Sequence, residues 1–212
     1  MPRIAIRLAT PDDAAAVTAV FHAAIHGKAA CSYDAEQLSA WCAGRTVVQF
    51  RRELELGMNP FLVAEAMMTA PLAPSVGVAG EEPPRAEARG PRETTPPTPA
   101  PSSCVVGFGA LRGDEVAYLY AAPQAPPGTG SALLRELERR AVEQGWPELR
   151  LTASLNALDF YKEHGYRELR RDIRVMSVEG GFVRLVAIEA RKRLTPDDGR
   201  PSRTSGEPAL AE

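Results

Sequence analysis

The sequence holds little that would carry a role in a membrane, on nucleic acid or in a disulfide-stapled fold. No span approaches the ~18 apolar residues of a transmembrane helix. Met1-Pro2-Arg3-Ile4 does not open a charged segment followed by a long apolar run, so neither membrane insertion nor export is expected. No sign of charge dominates either. Lys and Arg number 25 against 27 Asp and Glu, net −2, which leaves no field to recruit nucleic acid or an acidic membrane surface. Cysteine is scarce and odd in number. Cys31, Cys42 and Cys104 show no Cys-x-x-Cys spacing, which argues against a disulfide framework and a closed zinc site and suits reduced thiols in the cytoplasm. His22 and His26 lie four apart, but as a metal pair they lack a third ligand, so no metal is expected. What remains is an ordinary globular composition, 44% hydrophobic and 25% charged over 212 residues, enough for one sizeable core.

Taken in order, Ile4 to Leu8 alternates like a strand, and Thr10-Pro11-Asp12-Asp13 supplies a cap, a proline for the first helical position and acids for the positive dipole end. Val17, Val20, Phe21, Ala24 and Ile25 then share one helical face, and Gly27 is placed to end that helix in a left-handed conformation. Two further helices are predicted, Asp34 to Cys42 and Val47 to Leu56, before a buried strand from Phe61. Between Thr69 and Ser103 lie nine of the 19 prolines and no aromatic residue. Such a stretch cannot bury enough apolar surface to offset its chain entropy, so it reads as a disordered insertion. Strand-like runs flank it, Phe61 to Met67 and Cys104 to Leu111, which makes it an enlarged hairpin loop, cheap because closure entropy grows only logarithmically with length. Strands follow at Glu115 to Ala121, Leu149 to Ala153, Tyr166 to Met176 and Phe182 to Glu189, with a short helix from Asn156 or Ala157 to His164. The expected organisation is one domain over 1–194, with a disordered tail over 195–212.

Between Ala121 and the helical run Ala132 to Gln144 lies the loop Ala122-Pro123-Gln124-Ala125-Pro126-Pro127-Gly128-Thr129-Gly130-Ser131. A Gly-x-Gly on a strand-to-helix turn can hold a phosphate, because glycine permits close approach and the first-turn amides have no carbonyl partner within the helix. Gly128, Thr129, Gly130 and Ser131 offer four consecutive amides and two hydroxyls.

Three pieces together resemble the GNAT superfamily of N-acyltransferases. Leu119 to Pro123 running into Gly128-Thr129-Gly130-Ser131-Ala132-Leu133-Leu134 is similar to that family's acyl-CoA strand, pyrophosphate loop and helix. Asn156-Ala157-Leu158-Asp159-Phe160-Tyr161-Lys162-Glu163-His164-Gly165-Tyr166 resembles its signature after the fifth strand, and Ile6 to Asp13 resembles its opening. The resemblance implies an α/β (α+β) fold, a mixed and mostly antiparallel sheet flanked by helices, and acetyl-CoA as cosubstrate. It also implies the roles. Tyr120, Ala121, Gly128, Thr129, Gly130, Ser131 and Asn156 would bind the cofactor, with the Ala121 amide polarising the thioester carbonyl and Asn156 on the pantetheine arm. Tyr161 would protonate the departing thiolate. The loop departs from the family pattern, with Ala125 at the usual Gln or Arg position and Pro126 and Pro127 removing two amides.

The function so implied is transfer of an acetyl group to a primary amine of a small molecule or protein, with a homodimer allowed. Two other readings stand beside it: a non-catalytic member of the fold that binds acyl-CoA or a protein, and recruitment of a partner through Thr95-Pro96-Pro97-Thr98-Pro99. Glu115 reads as a turn acid by its position. Cys31, Tyr33, Trp41, His22 and His26 fall where that fold walls its acceptor pocket, and core packing or surface exposure explains them as well.

Overall fold

The computed structural model describes residues 4–56, 60–68, 102–178 and 181–199. Strand β1 (Ile4–Leu8) leads through a single turn, Pro11–Asp13, into helix α1 (Ala14–Lys28). Asp13 closes that turn by accepting from the Thr10 amide at 2.7 Å and the Thr10 hydroxyl at 3.1 Å. Arg7 of β1 grips the same carboxylate through two nitrogens, at 2.7 and 2.8 Å, and also reaches Glu65. This pairing holds the Asp13 carboxyl below its ordinary range, against the opposing effect of burial. Helix α2 (Ala35–Cys42) starts on Asp34, which accepts from the Gln37 amide at 2.8 Å, and α3 (Val47–Leu56) follows.

The remaining elements are β2 (Phe61–Met68), β3 (Ser102–Arg112), β4 (Glu115–Ala121), α4 (Thr129–Glu143), β5 (Glu148–Ser154), α5 (Leu158–Glu163), β6 (Arg167–Val178) and β7 (Gly181–Arg193). The seven strands form one sheet in the order β1-β2-β3-β4-β5-β7-β6. Only β4 and β5 run parallel; every other neighbour is antiparallel. This is the mixed, mostly antiparallel sheet flanked by helices that the sequence implied. Strands β2 and β3 pair from Phe61 opposite Ala110 to Met68 opposite Ser102, so the flanks of the proline-rich stretch are the two strands of one hairpin.

Each face of the sheet carries its own apolar layer. On one, Val17, Phe21 and Ile25 of α1 and Phe50 of α3 meet Phe108 and Tyr118. On the other, Leu133, Leu134 and Leu137 of α4 pack on Val106, Leu149, Leu151 and Ile188. The helical faces read from apolar spacing are the buried ones. Helix α4 can lie close to the sheet because β3 presents Gly107 and Gly109 to it. A Cβ at Gly107 would stand 2.9 Å from Thr129 Cγ2 and 3.0 Å from the Tyr120 carbonyl, and one at Gly109 would stand 2.9 Å from Leu137 Cδ1.

Four expectations change. Gly27 does not end its helix, which continues to Lys28 with Gly27 outside the left-handed region. It is there for close approach instead, since a Cβ would fall 2.4 Å from Pro123 Cγ. Helix α4 begins at Thr129 rather than Ala132, with Gly128 left-handed before it at φ 87°. Ser102 and Ser103 belong to β3, so the insertion ends earlier than expected, and residues 69–101 lie outside the described residues. The expected tail also starts too early. Pro196–Gly199 forms a turn in which Asp198 accepts from the Thr195 amide and hydroxyl and from Lys192 Nζ; residues 200–212 lie outside the described residues. Among the described residues no helix is long and apolar enough to cross a membrane.

Candidate active site

The sheet opens where its only parallel pair begins. Strands β4 and β5 share just two register positions, Glu115 with Arg150 and Val116 with Leu151, and then diverge. At the same point β4 carries an extra residue. Ala110 pairs with Tyr118 but Leu111 with Val116, which leaves Ala117 as a bulge that redirects the strand. Beyond it, Ala122 donates its amide to Val106 at 2.9 Å. Antiparallel alternation therefore turns the amides of Leu119 and Ala121 away from β3 and into the gap beside β5.

A cleft of 380 Å³ occupies this gap, and it gathers residues distant in sequence: Leu119, Tyr120 and Ala121 from β4, the loop 125–131, and Ser154, Asn156, Phe160 and Tyr161. Every residue expected to bind the cofactor lines it, as does Tyr161. Their parts differ, however. The Tyr120 ring packs against Phe21 at 4.9 Å and Phe108 at 5.3 Å in the apolar layer, so it anchors β4 at the edge of the cleft. Thr129 is turned inward: its amide and hydroxyl both donate to the Pro126 carbonyl, at 3.2 and 2.7 Å. That leaves Gly128, Gly130 and Ser131 as the amides of the loop and the Ser131 hydroxyl beside them, fewer than the sequence offered. Asn156 is exposed in the turn Leu155–Ala157 and makes no capping hydrogen bond; Ser154 and Ala157 occupy the cap positions, so its amide is free for a ligand in the cleft.

Tyr161 is only 7% exposed and is held edge-on between Phe160 and Tyr166, at 5.2 and 5.6 Å. Burial raises its phenol well above the ordinary tyrosine value, so it keeps its proton throughout the neutral range. Lys28, at the end of α1, lines the same cleft, and burial against the wall lowers its ammonium from the ordinary lysine value.

A second cleft, of 370 Å³, lies beside the first and shares Trp41, Tyr120 and Ser154 with it. Its wall mixes apolar residues, among them Val175, Met176 and Leu185, with the polar side chains Glu115, Thr152 and Arg174, and Arg174 donates to the Thr152 hydroxyl at 2.9 Å. Tyr33 lines it too and ties its edge together, donating to the Val186 carbonyl at 2.7 Å and accepting from the Leu155 amide at 2.9 Å. Of the residues expected on an acceptor wall, Tyr33 and Trp41 are there. Cys31, His22 and His26 line neither cleft. The two histidines stand instead beside Cys42, a third neighbour that the sequence did not offer them, with His26 Nε2 3.6 Å from Cys42 Sγ. Burial pushes the Cys42 thiol up to about 11.

No protein-family model matches the sequence, and no curated protein matches it. Solved structures do. A GCN5-related N-acetyltransferase from Rhodopseudomonas palustris aligns over 90% of this chain and 95% of its own, at 26% identity and a TM-score of 0.64. The chain has the GNAT N-acetyltransferase fold. The PaiA N-acetyltransferase from Thermoplasma acidophilum, solved with coenzyme A, aligns over 90% of this chain and 99% of its own at 18% identity and a TM-score of 0.57. YncA from Salmonella typhimurium, solved with its cofactor acetyl-CoA, covers 99% of this chain and 98% of its own at 18% identity and a TM-score of 0.50.

Within this GNAT fold, sequence reasoning missed Lys28 and Arg174. Lys28 carried a weak signal, a cation in the last turn of an amphipathic helix that ends against the loop. Arg174 carried none: it is one arginine among several on β6, and only the pairing of β6, β7 and β5 brings it to the second cleft.

Proposed function

We propose that the protein is an N-acetyltransferase that moves an acetyl group from acetyl-CoA to a primary amine of a small molecule or protein by direct attack, in the cytoplasm. The carrying observation is that two clefts of different character meet at the β4–β5 opening and share Tyr120 and Ser154. One takes the thioester and the other the amine, so the reacting atoms are brought together without a covalent enzyme intermediate.

In this reading the Gly128, Gly130 and Ser131 amides and the Lys28 ammonium receive the pyrophosphate at the start of α4. Asn156 contacts the pantetheine amides. The Ala121 amide, aimed into the gap, donates to the thioester oxygen and more strongly to the oxyanion that forms on attack. The neutral amine adds to the carbonyl carbon, the C–S bond breaks, and Tyr161 gives its proton to the sulfur. The attacking nitrogen sheds a proton through Glu115 or solvent, and Tyr161 is reprotonated. The high phenol value keeps the acid form fully populated at neutral pH.

One observation favours a second reading, an acyl-CoA-binding module without turnover: the loop lacks the amides of Pro126 and Pro127, and the Thr129 donors are engaged at Pro126. Thiol release from acetyl-CoA against a panel of primary amines separates the two. The enzyme reading expects amine-dependent release that falls in Tyr161→Phe; acetyl-CoA binding with no release against any amine supports the module.

A further inference from the structure

We propose that His22, His26 and Cys42 form a three-ligand site for a divalent transition metal, Zn²⁺ by preference, that clips α1 to the end of α2. The site is independent of both clefts and of the acetyl-transfer reading. One ring nitrogen of each histidine and Cys42 Sγ lie within 4.8 Å of one another. His22 and His26, four residues apart, stand on one face of α1. Cys42 is the last residue of α2, and its sulfur sits 3.6 Å from His26 Nε2. Zinc at ~2.0 Å from nitrogen and ~2.3 Å from sulfur, with tetrahedral angles, sets those two atoms ~3.5 Å apart. The His26–Cys42 edge already has this length, and a ring nitrogen of His22 lies within 4.8 Å of both atoms.

The surroundings also suit a ligand set. His22 Nε2 lies 3.0 Å from the Arg45 carbonyl, which can only accept, so the ring carries its hydrogen there and its Nδ1 is left able to ligate. That carbonyl is itself fixed. The chain reverses after Cys42 through Gly44 at φ 76°, and the Arg45 side chain is anchored on Glu53 at 3.0 Å and on the Tyr118 hydroxyl at 2.6 Å. His22 and Cys42 are half-buried while His26 is exposed, which gives an ion a way in from solvent. Two imidazoles and a thiolate select Zn²⁺ over the oxygen-seeking Mg²⁺ and Ca²⁺. Three protein ligands leave the fourth position to water.

The test uses the full chain after chelator treatment, titrated with Co²⁺ followed by absorbance, then with Zn²⁺ in competition with a chromogenic chelator. The proposal expects one equivalent bound per chain, with a thiolate-to-cobalt charge-transfer band. Cys42→Ser should abolish the band, and His26→Ala, at an exposed position where folding is not at risk, should weaken Zn²⁺ binding at least ~tenfold. Cys31→Ser should leave both unchanged. Absence of binding in the unsubstituted chain, a band that survives Cys42→Ser, a band lost in Cys31→Ser, or unchanged Zn²⁺ affinity in His26→Ala would each overturn it.

Discussion

The two clefts that meet at the β4–β5 opening are built from different material. The first draws half of its lining from one stretch, 119–131, with its Gly-rich loop, and is completed by the end of α1, Trp41 and the turn and helix that begin at Leu155. The second is lined by residues of separate strands, and Glu115, Thr152 and Arg174, drawn from β4, β5 and β6, bring polar side chains into an otherwise largely apolar wall. Backbone amides on a loop suit a ligand whose phosphates and amides do not vary, whereas side chains suit one that must be told from its competitors. In the proposed reading the first cleft takes the cosubstrate and the second selects the acceptor.

The sharpest way to break that division is at the residue between chemistry and binding. Tyr161→Phe should lower kcat by roughly 10²–10⁴-fold with little change in acetyl-CoA affinity, measured by thiol release and calorimetry. An unchanged kcat removes the acid role while leaving the cleft assignment intact. Next in size is Gly107→Ala. It sets a methyl against Thr129 and the Tyr120 carbonyl, so stability should fall by about 1–3 kcal/mol in urea denaturation, and acetyl-CoA affinity should weaken as the start of α4 shifts. Arg174→Ala should do the reverse. With no part in the first cleft, it should raise the acceptor KM by about tenfold, the scale of one lost charge-assisted hydrogen bond, and leave acetyl-CoA affinity alone.

The smallest effect lies outside both clefts. Asp13 has a folded-state value held down by Arg7, so its contribution to stability is present above the unfolded carboxylate value of ~3.9 and is lost as pH falls through the lower folded value. Denaturation between about pH 5 and pH 2 should therefore show a steepening loss in the unsubstituted chain that is reduced in Asp13→Asn.

The same contrast explains what could be read from the sequence. Helical spacing at Val17 to Ile25 and Leu133 to Ala141, strand runs on both sides of the insertion and the Gly-x-Gly loop are local patterns, and each has its place in the structure. The first cleft, contiguous over much of its length, was legible. What failed depended on contacts across the fold. Gly27 has the look of a helix end, and only the approach of Pro123 shows why it is a glycine. The Thr129 donors look available until the Pro126 carbonyl turns back onto them. Arg174 reaches the second cleft, and Cys42 reaches the histidines, through tertiary packing alone, so no spacing announced them.

Whether the first cleft holds acetyl-CoA despite Pro126 and Pro127 is decided by calorimetric titration of acetyl-CoA into the full chain. Saturable binding of one acetyl-CoA per chain is expected, weakened by Lys28→Ala and preserved in Arg174→Ala. No heat of binding at millimolar acetyl-CoA would contradict it.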